Sequence, residues 1–319
     1  MSSPSLNVRY AQLVMRTASS RRRRDGYAGK VMADRHIGII GAGVAGLSAA
    51  QRLAQAGVSC TVVDKGSRPG GRCASRITPE GFQFDHGAQY ASANGAAFGA
   101  FMATAHAAGH AARWTPAEGD GRARYVAAPT MNAIAGAFEL APATHQSWEV
   151  DHLAGAPGAW EFVRKPVDEA RSVPAQDHPG GDRLGPFDAV IVTAPQPQTK
   201  RLLGSFTFAE RAALDAASLA PCWSLMLAFT DVAPEPNLPS VLRDVDETIG
   251  FVARQETRPR LPTTRNDGVV SLLINATPAW SKAHFELDRP AVIAQLTAHC
   301  ADALPGDLGA LCSRTPAFF

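Results

Sequence analysis

The 319-residue sequence predicts an α/β chain of two domains, one on a parallel sheet and a second, α+β, on an antiparallel sheet. Three observations predict it. A short apolar strand runs into a glycine-rich turn and a helix, and a second apolar strand follows, the order of a parallel βαβ unit. Leu225–Phe229 and Val269–Asn275 read as strands of an antiparallel sheet. The length, at a soft ~150 residues per domain, allows two domains or one large interrupted one.

The first strand is His36–Ile40 (HIGII), short, apolar and β-branched, as a buried parallel strand should be. Gly41-Ala42-Gly43-Val44-Ala45-Gly46 follows, then LSAAQRLAQA, a strong helix former that Gly57 closes as a C-cap. Val58–Val63 is the second strand and ends in Asp64. Each glycine has a physical task. Gly41 permits the tight strand-to-helix turn, Gly43 lets a pyrophosphate approach the backbone, and Gly46 lets the helix pack closely on the strand. The helix N-terminus offers unpaired N–H groups and positive dipole to phosphates. Asp64, eighteen residues after Gly46, is placed to accept hydrogen bonds from ribose hydroxyls. A lone Gly-x-Gly-x-x-Gly would be weak evidence; strand, glycines, helix, second strand and acid in this order point to dinucleotide binding.

Ser67-Arg68-Pro69-Gly70-Gly71-Arg72-Cys73-Ala74-Ser75 comes next, and farther on lies Phe84-Asp85-His86-Gly87-Ala88-Gln89-Tyr90. Gly70-Gly71 lets the backbone run close beneath a ligand, and Arg72 is a permanent cation suited to phosphate. Asp64-Lys65, four residues, Gly-Gly-Arg and then Asp-x-Gly-Ala-Gln-Tyr resembles the flavin amine-oxidase superfamily, and more narrowly the bacterial renalase-like FAD-dependent oxidoreductases. Tyr125–Ala135, Phe187–Pro195, Pro221–Phe229 and Asn275–Ser281 agree, so the likeness runs over about residues 35 to 304. It implies an FAD-binding Rossmann-like domain of the glutathione-reductase type with an α+β substrate domain. It assigns 32–92 and 130–200 to the FAD domain and 93–129 and 201–304 to the substrate domain. The FAD contacts it implies are Gly41, Gly43, Ala45 and Gly46 at the pyrophosphate and Asp64, with Lys65, at the adenosine ribose. Gly71 and Arg72 would lie against pyrophosphate and flavin, and Gln89 and Tyr90 at the isoalloxazine. Read from the residues alone, Arg72 could equally sit in a surface salt bridge and Tyr90 in a packed core. His86 reads as structural or solvent-facing.

Phe98–Ala112 has helical spacing, covering the substrate side. Trp148–Val150 and Trp160–Arg164 alternate around Gly155 and Gly158 as a hairpin does. Val167–Gly185 reads as a Pro/Gly/Asp-rich loop, Ala189–Thr193 as a third buried strand and Gln198–Ala220 as mainly helical. Trp223 and Trp280 could line a pocket for a planar substrate or serve as core tryptophans. Ala291–Leu304 is a helix that Pro305-Gly306 ends, and Gly306-Asp307 reads as a turn. Flavoproteins of the class carry a late strand, Gly-Asp and helix; their apparent lack makes residues 305–319 look like a truncated tail.

At 45% apolar and 19% charged residues the chain can bury a sizeable core, which excludes a disordered or fibrous protein. The formal charge of +2 is uneven. Residues 1–31 carry seven Lys/Arg and one acid, net +6, which leaves −4 on the other 288. A basic nucleic-acid face therefore has no support. Residues 1–31 read either as a transit peptide or basic tag, or as an extension upstream of a start at Met32, disordered in both cases. No apolar run approaches the ~18 residues of a membrane span. Five cysteines without Cys-x-x-Cys or metal-ligand spacing suit a reduced, cytoplasmic protein with no metal. No nucleophile-elbow spacing suggests a hydrolase.

The expectation is an FAD-dependent oxidoreductase that takes a hydride from a small reduced substrate and passes electrons to O2, giving H2O2. The resemblance suggests dihydronicotinamides as substrates. No catalytic acid or base is identifiable. The alternatives are an amine oxidase or desaturase on the same fold, or an inactive truncated flavoprotein.

Overall fold

A computed structural model describes residues 34–114, 124–138, 143–166, 181–232, 239–259 and 268–317. The leader 1–31 and most of the loop expected over 167–185 lie outside these residues. The chain divides into two compact units, Met1–Pro69 with Glu139–Ser218, and Gly70–Phe138 with Leu219–Phe319.

In the first unit the four-stranded sheet is parallel throughout. Its order is Ala189–Val192, His36–Ile40, Ser59–Val63, Ala143–His145. The helix Val44–Gln55 is the crossover between His36–Ile40 and Ser59–Val63, burying Gly46, Leu47 and Ala50. A three-stranded antiparallel sheet, Arg183–Phe187, Ala159–Arg164 and Val150–Ala156, accompanies it. The last two strands form the expected hairpin, with Ala156 opposite Ala159. Arg183–Phe187 falls partly in the segment read as loop; its residues pair with Val163, Phe162 and Trp160. Phe162 and Phe187 press on the central parallel strand where it has no side chain. A Cβ at Gly38 would lie 2.4 Å from the tip of Phe162. Trp148, Val63, Leu202 and Leu203 complete this core. The helix expected over Gln198–Ala220 is two helices, Gln196–Leu203 and Arg211–Ala216. Between them Phe206 turns in to meet the Trp160 ring edge-on, centroids 5.2 Å apart.

The second unit is built on a four-stranded antiparallel sheet in the order Ser224–Phe229, Val270–Ala276, Ile249–Arg254, Val241–Arg243. Its two faces follow from strand periodicity. Leu225, Leu227, Val252, Leu272 and Ile274 face a core closed by the helix Arg289–Ala303 through Val292, Leu296 and Cys300. The opposite parity puts Ser224, Asn275, Phe251 and Arg243 in register across the other face. Gly306-Asp307 is no simple turn: Gly306 precedes the helix Asp307–Cys312, whose Leu308, Leu311 and Cys312 enter the same core. Trp223 and Trp280 pack against that core, Trp280 stacked on His284 with centroids 3.9 Å apart, so the core reading holds for both.

A small antiparallel sheet in this unit joins Ala91–Ser92, Arg124–Ala127 and Ala111–Trp114. The helix Ala96–Ala107 precedes its edge strand; the helical spacing read as far as Ala112 stops five residues short, where the chain turns into strand.

Candidate functional site

In the first unit the predicted turn is a tight structure held by backbone and one carboxylate. Gly41 has φ 108°, its N–H donates to Val63 O at 2.7 Å, and Thr193 Oγ1 donates to Ile40 O at 2.9 Å. A Cβ on Gly41 would stand 2.4 Å from Thr193 Oγ1, and one on Gly46 would stand 1.8 Å from Gly41 O. The first turn of the helix thus rests directly on the end of the strand. Gly43 is the N-cap, in extended conformation, and no side chain caps the helix. Its first N–H groups are therefore available to an anion, and no side chain at 41, 43 or 46 stands in the way. Ala45 is exposed in this first turn.

Asp64 sits at the end of the second strand, half-buried. Its Oδ2 accepts the Ala42 N–H and its Oδ1 the Gly66 N–H, both at 2.6 Å. The carboxylate therefore ties the turn to the loop after the strand. Each oxygen keeps a lone pair for a further donor such as a hydroxyl. Lys65 beside it is exposed. Removing the carboxylate in Asp64→Ala is expected to cost about 2 kcal/mol, since bonds to a charged acceptor are worth roughly 1.5–3 kcal/mol. Asp64→Asn should recover part of that, and urea midpoints of the three proteins would check it.

In the second unit Gly70, φ 116°, is buried against Asn132, whose Cα would be 3.3 Å from an added Cβ. Gly71 (φ 56°) and Arg72 are exposed. The loop is clasped to the second motif by backbone: Ala88 N–H donates to Arg72 O at 2.8 Å and Gly87 N–H to Ala74 O at 3.0 Å. The surface salt bridge left open for Arg72 is not formed among the described residues. Burial pushes the neighbouring Cys73 thiol up, against a smaller pull from the Arg72 charge, so it is no ready nucleophile. His86 is half-buried, and its Nδ1 is enclosed without a partner among the described residues.

Gln89 and Tyr90 are organised by residues that no local pattern singled out. Asp85 is buried at 2% exposure. Its Oδ2 accepts Arg258 Nη1 at 2.7 Å, and its Oδ1 accepts the Ser75 hydroxyl and the Met131 N–H. Arg258, 3% exposed, gives its other arm to Gln89 Oε1 at 2.5 Å and lies 5.1 Å from the Trp114 ring centre. The Gln89 amide nitrogen donates to Asp85 O and Gly87 O. Gln89 is thus spent within its own unit on both ends of its amide.

Tyr90 precedes the first strand of the small sheet. The register pairs Ser92 with Arg124 and Arg124 with Trp114, so strand alternation puts Tyr90 on their face. Its ring has Arg124 at 5.3 Å and Arg243 at 5.2 Å, with Trp114 and Phe251 at 6.2 and 6.5 Å. The Arg243 Nη2 donates to its hydroxyl. Tyr90 is packed, as one reading had it, but among cations and rings rather than in an aliphatic core. Among the described residues, no group of three or more His, Cys, Asp and Glu could hold a metal, and no helix is long and apolar enough to cross a membrane.

The chain's likeness to known proteins is of two kinds. Residues 39–105 match the family described as NAD(P)-binding Rossmann-like domain. The curated likenesses are short. The phytoene desaturase of Neurospora crassa is 49% identical over 49 residues, 15% of this chain and 8% of that protein. The neurosporene-forming phytoene desaturase of Rhodobacter capsulatus is 55% identical over 49 residues, 15% and 9%. The chain therefore matches less than a tenth of the length of these two relatives. Solved structures are similar over far more of it. A putrescine oxidase bound to putrescine superposes with a TM-score of 0.63 at 13% identity, covering 86% of this chain and 82% of the other. An oxidoreductase from Methanosarcina mazei gives 0.55 at 14%, covering 85% of each. The turn at Gly41–Gly46 thus belongs to a Rossmann-like nucleotide-binding domain, on an α/β chain with the fold of these oxidoreductases.

Proposed function

We propose that this chain is an FAD-dependent oxidoreductase, taking a hydride from a small reduced substrate of dihydronicotinamide type and passing the electrons to O2 with formation of H2O2. One observation carries the nucleotide half of this reading: the uncapped helix start at Gly43, set on the strand end by Gly41 and Gly46. The fold shared with a putrescine oxidase and the stretch shared with phytoene desaturases support the redox half. When bound, FAD supplies the two-electron chemistry, accepting the hydride and yielding it to oxygen.

The residues present fit that group. Gly41, Gly43, Ala45 and Gly46 would hold its pyrophosphate by backbone N–H groups, and Asp64 would take the ribose on its remaining lone pairs, with Lys65 beside it. Gly71 would leave room for the backbone to lie against the cofactor, and Arg72, exposed and without a carboxylate partner among the described residues, would offset phosphate charge. Gln89 and Tyr90 would lie at the isoalloxazine, Gln89 fixed in orientation by Arg258. No side chain is assigned as acid or base, since hydride transfer to a flavin needs none. The five cysteines, all free, suit the cytoplasm.

The test is the visible spectrum of the purified full chain, followed by anaerobic addition of dihydronicotinamide isomers and, separately, of amines. A yellow protein with releasable FAD, bleached by the dihydronicotinamides and regenerated by air with one peroxide per substrate, is the expected result. Bleaching by amines alone would transfer the chain to the amine-oxidase reading. A colourless protein that takes up no added FAD would refute both.

A further inference from the structure

We propose that Arg243 and Tyr90 form an anion-recognition subsite, so that the substrate is a planar molecule carrying a carboxylate or phosphate. The donor class comes from the function proposed above; the anion does not, and it rests on the following geometry.

Arg243 ends the edge strand Val241–Arg243, opposite Phe251, and is exposed. Its charge has no carboxylate partner among the described residues. Four other arginines do have one: Arg258 has Asp85, Arg254 has Glu256, Arg183 has Glu161, and Arg211 has Asp215. Arg243 instead lies over two rings, 5.2 Å from Tyr90 and 5.4 Å from Phe251, with one N–H given to the Tyr90 oxygen. Asp244 follows it in sequence but makes no ion pair with it, and Asp246 is bound to His299 and to the Thr248 and Ile249 N–H groups.

A guanidinium has five N–H donors, and stacking on aromatic faces fixes its plane without using them. One is committed here, which leaves a preoriented fork for a bidentate oxyanion. Tyr90 accepts from Arg243 through its oxygen, so its own proton is left to donate, and no described group takes it. Fork and phenol are thus neighbours, joined by the bond from Arg243 to the Tyr90 oxygen. Arg124, 6% exposed, lies 5.3 Å from the centre of the Tyr90 ring. The half-buried Phe251 ring beside Arg243 and Tyr90 suits a flat apolar body attached to the anion.

The experiment is calorimetric titration of the full chain with benzoate, phenyl phosphate and benzyl alcohol, in wild type, Arg243→Gln and Tyr90→Phe. At least one anion should bind the wild type about tenfold or more tightly than the alcohol, as a charge-assisted pair implies. Arg243→Gln should abolish that preference and leave the alcohol unchanged; Tyr90→Phe, which keeps the ring, should reduce it severalfold. The tighter of the two anions tells carboxylate from phosphate. Anions that bind no better than the alcohol, or an Arg243→Gln protein that binds them as the wild type does, overturn the proposal. Near-ultraviolet circular dichroism checks that the exposed substitution leaves the fold intact. Arg243-dependent anion binding in a protein that oxidises no dihydronicotinamide would keep this subsite and discard the donor class; oxidation without anion preference would do the reverse.

Discussion

Gly46→Ala is expected to yield a protein that no longer retains FAD and is destabilised by about 1–3 kcal/mol, the usual range for forcing a methyl group into a filled space. The added Cβ would stand 1.8 Å from Gly41 O and 3.0 Å from both Gly41 C and Thr193 Oγ1. Two of these atoms are backbone, held in turn by the bond from Gly41 N–H to Val63 O, so no side chain can swing away. The helix must lift from the strand by more than an ångström, carrying with it the N–H groups proposed to hold the pyrophosphate. Cofactor binding suffers more than stability because those donors lose their common aim. Gly57→Ala separates the two effects. Gly57 has φ 70°, but nothing lies within 4 Å of its added Cβ. That variant should lose about 1 kcal/mol through backbone strain alone and keep its flavin. Equal flavin content in the two variants, measured on the purified proteins, would refute a close-packed turn as the basis of binding.

That turn was legible in the sequence because its strand, glycines and helix are consecutive, although Thr193, which packs against it, is far away in the chain. Strand, glycines and helix lie within His36–Gln55, and each residue's task follows from its neighbours in the chain. The antiparallel sheet of the second unit was legible for a related reason: Leu225–Phe229 is a short run of apolar residues and Val269–Asn275 adds β-branched Val and Ile, enough to declare a strand in each case. Tertiary contacts decided the rest. The break between Gln196–Leu203 and Arg211–Ala216 lets Phe206 reach Trp160, a demand that helical propensity cannot register. Gly306-Asp307 opens a helix because Leu308 and Leu311 find a core waiting, whereas the isolated dipeptide spells a turn. The surroundings of Tyr90 depend on the register of three short strands, and a one-residue slip in any of them would replace Arg124 or Trp114 by a residue of the other face. Arg243 and Arg258 carry no signal in their own segments. Their partners lie 153 and 173 residues away, at Tyr90 and Asp85.

The second large effect belongs to one of these long-range pairs. Arg258→Met should destabilise the protein by about 3–5 kcal/mol, the cost of removing one partner of a buried ion pair. The two side chains are 1% and 2% exposed. In the variant the buried Asp85 charge would keep the Ser75 hydroxyl and the Met131 N–H but lose the Arg258 guanidinium. Methionine fills most of the volume over Trp114, which keeps the loss electrostatic rather than a cavity effect. Adding Asp85→Asn to Arg258→Met removes the stranded charge, so the double variant should recover at least about 1 kcal/mol, as coupled neighbours do. Arg183→Met is the contrast. Its pair with Glu161 is 56% and 37% exposed, and exposed pairs contribute about 0–1 kcal/mol. Urea midpoints of the three variants decide the matter: an Arg258→Met shift no larger than that of Arg183→Met would mean that the Asp85–Arg258 pair does not hold this part of the second unit together. If the pair does hold it, Gln89 should feel the loss as well, since Arg258 fixes its Oε1, and any flavin the variant retains should show a shifted visible band.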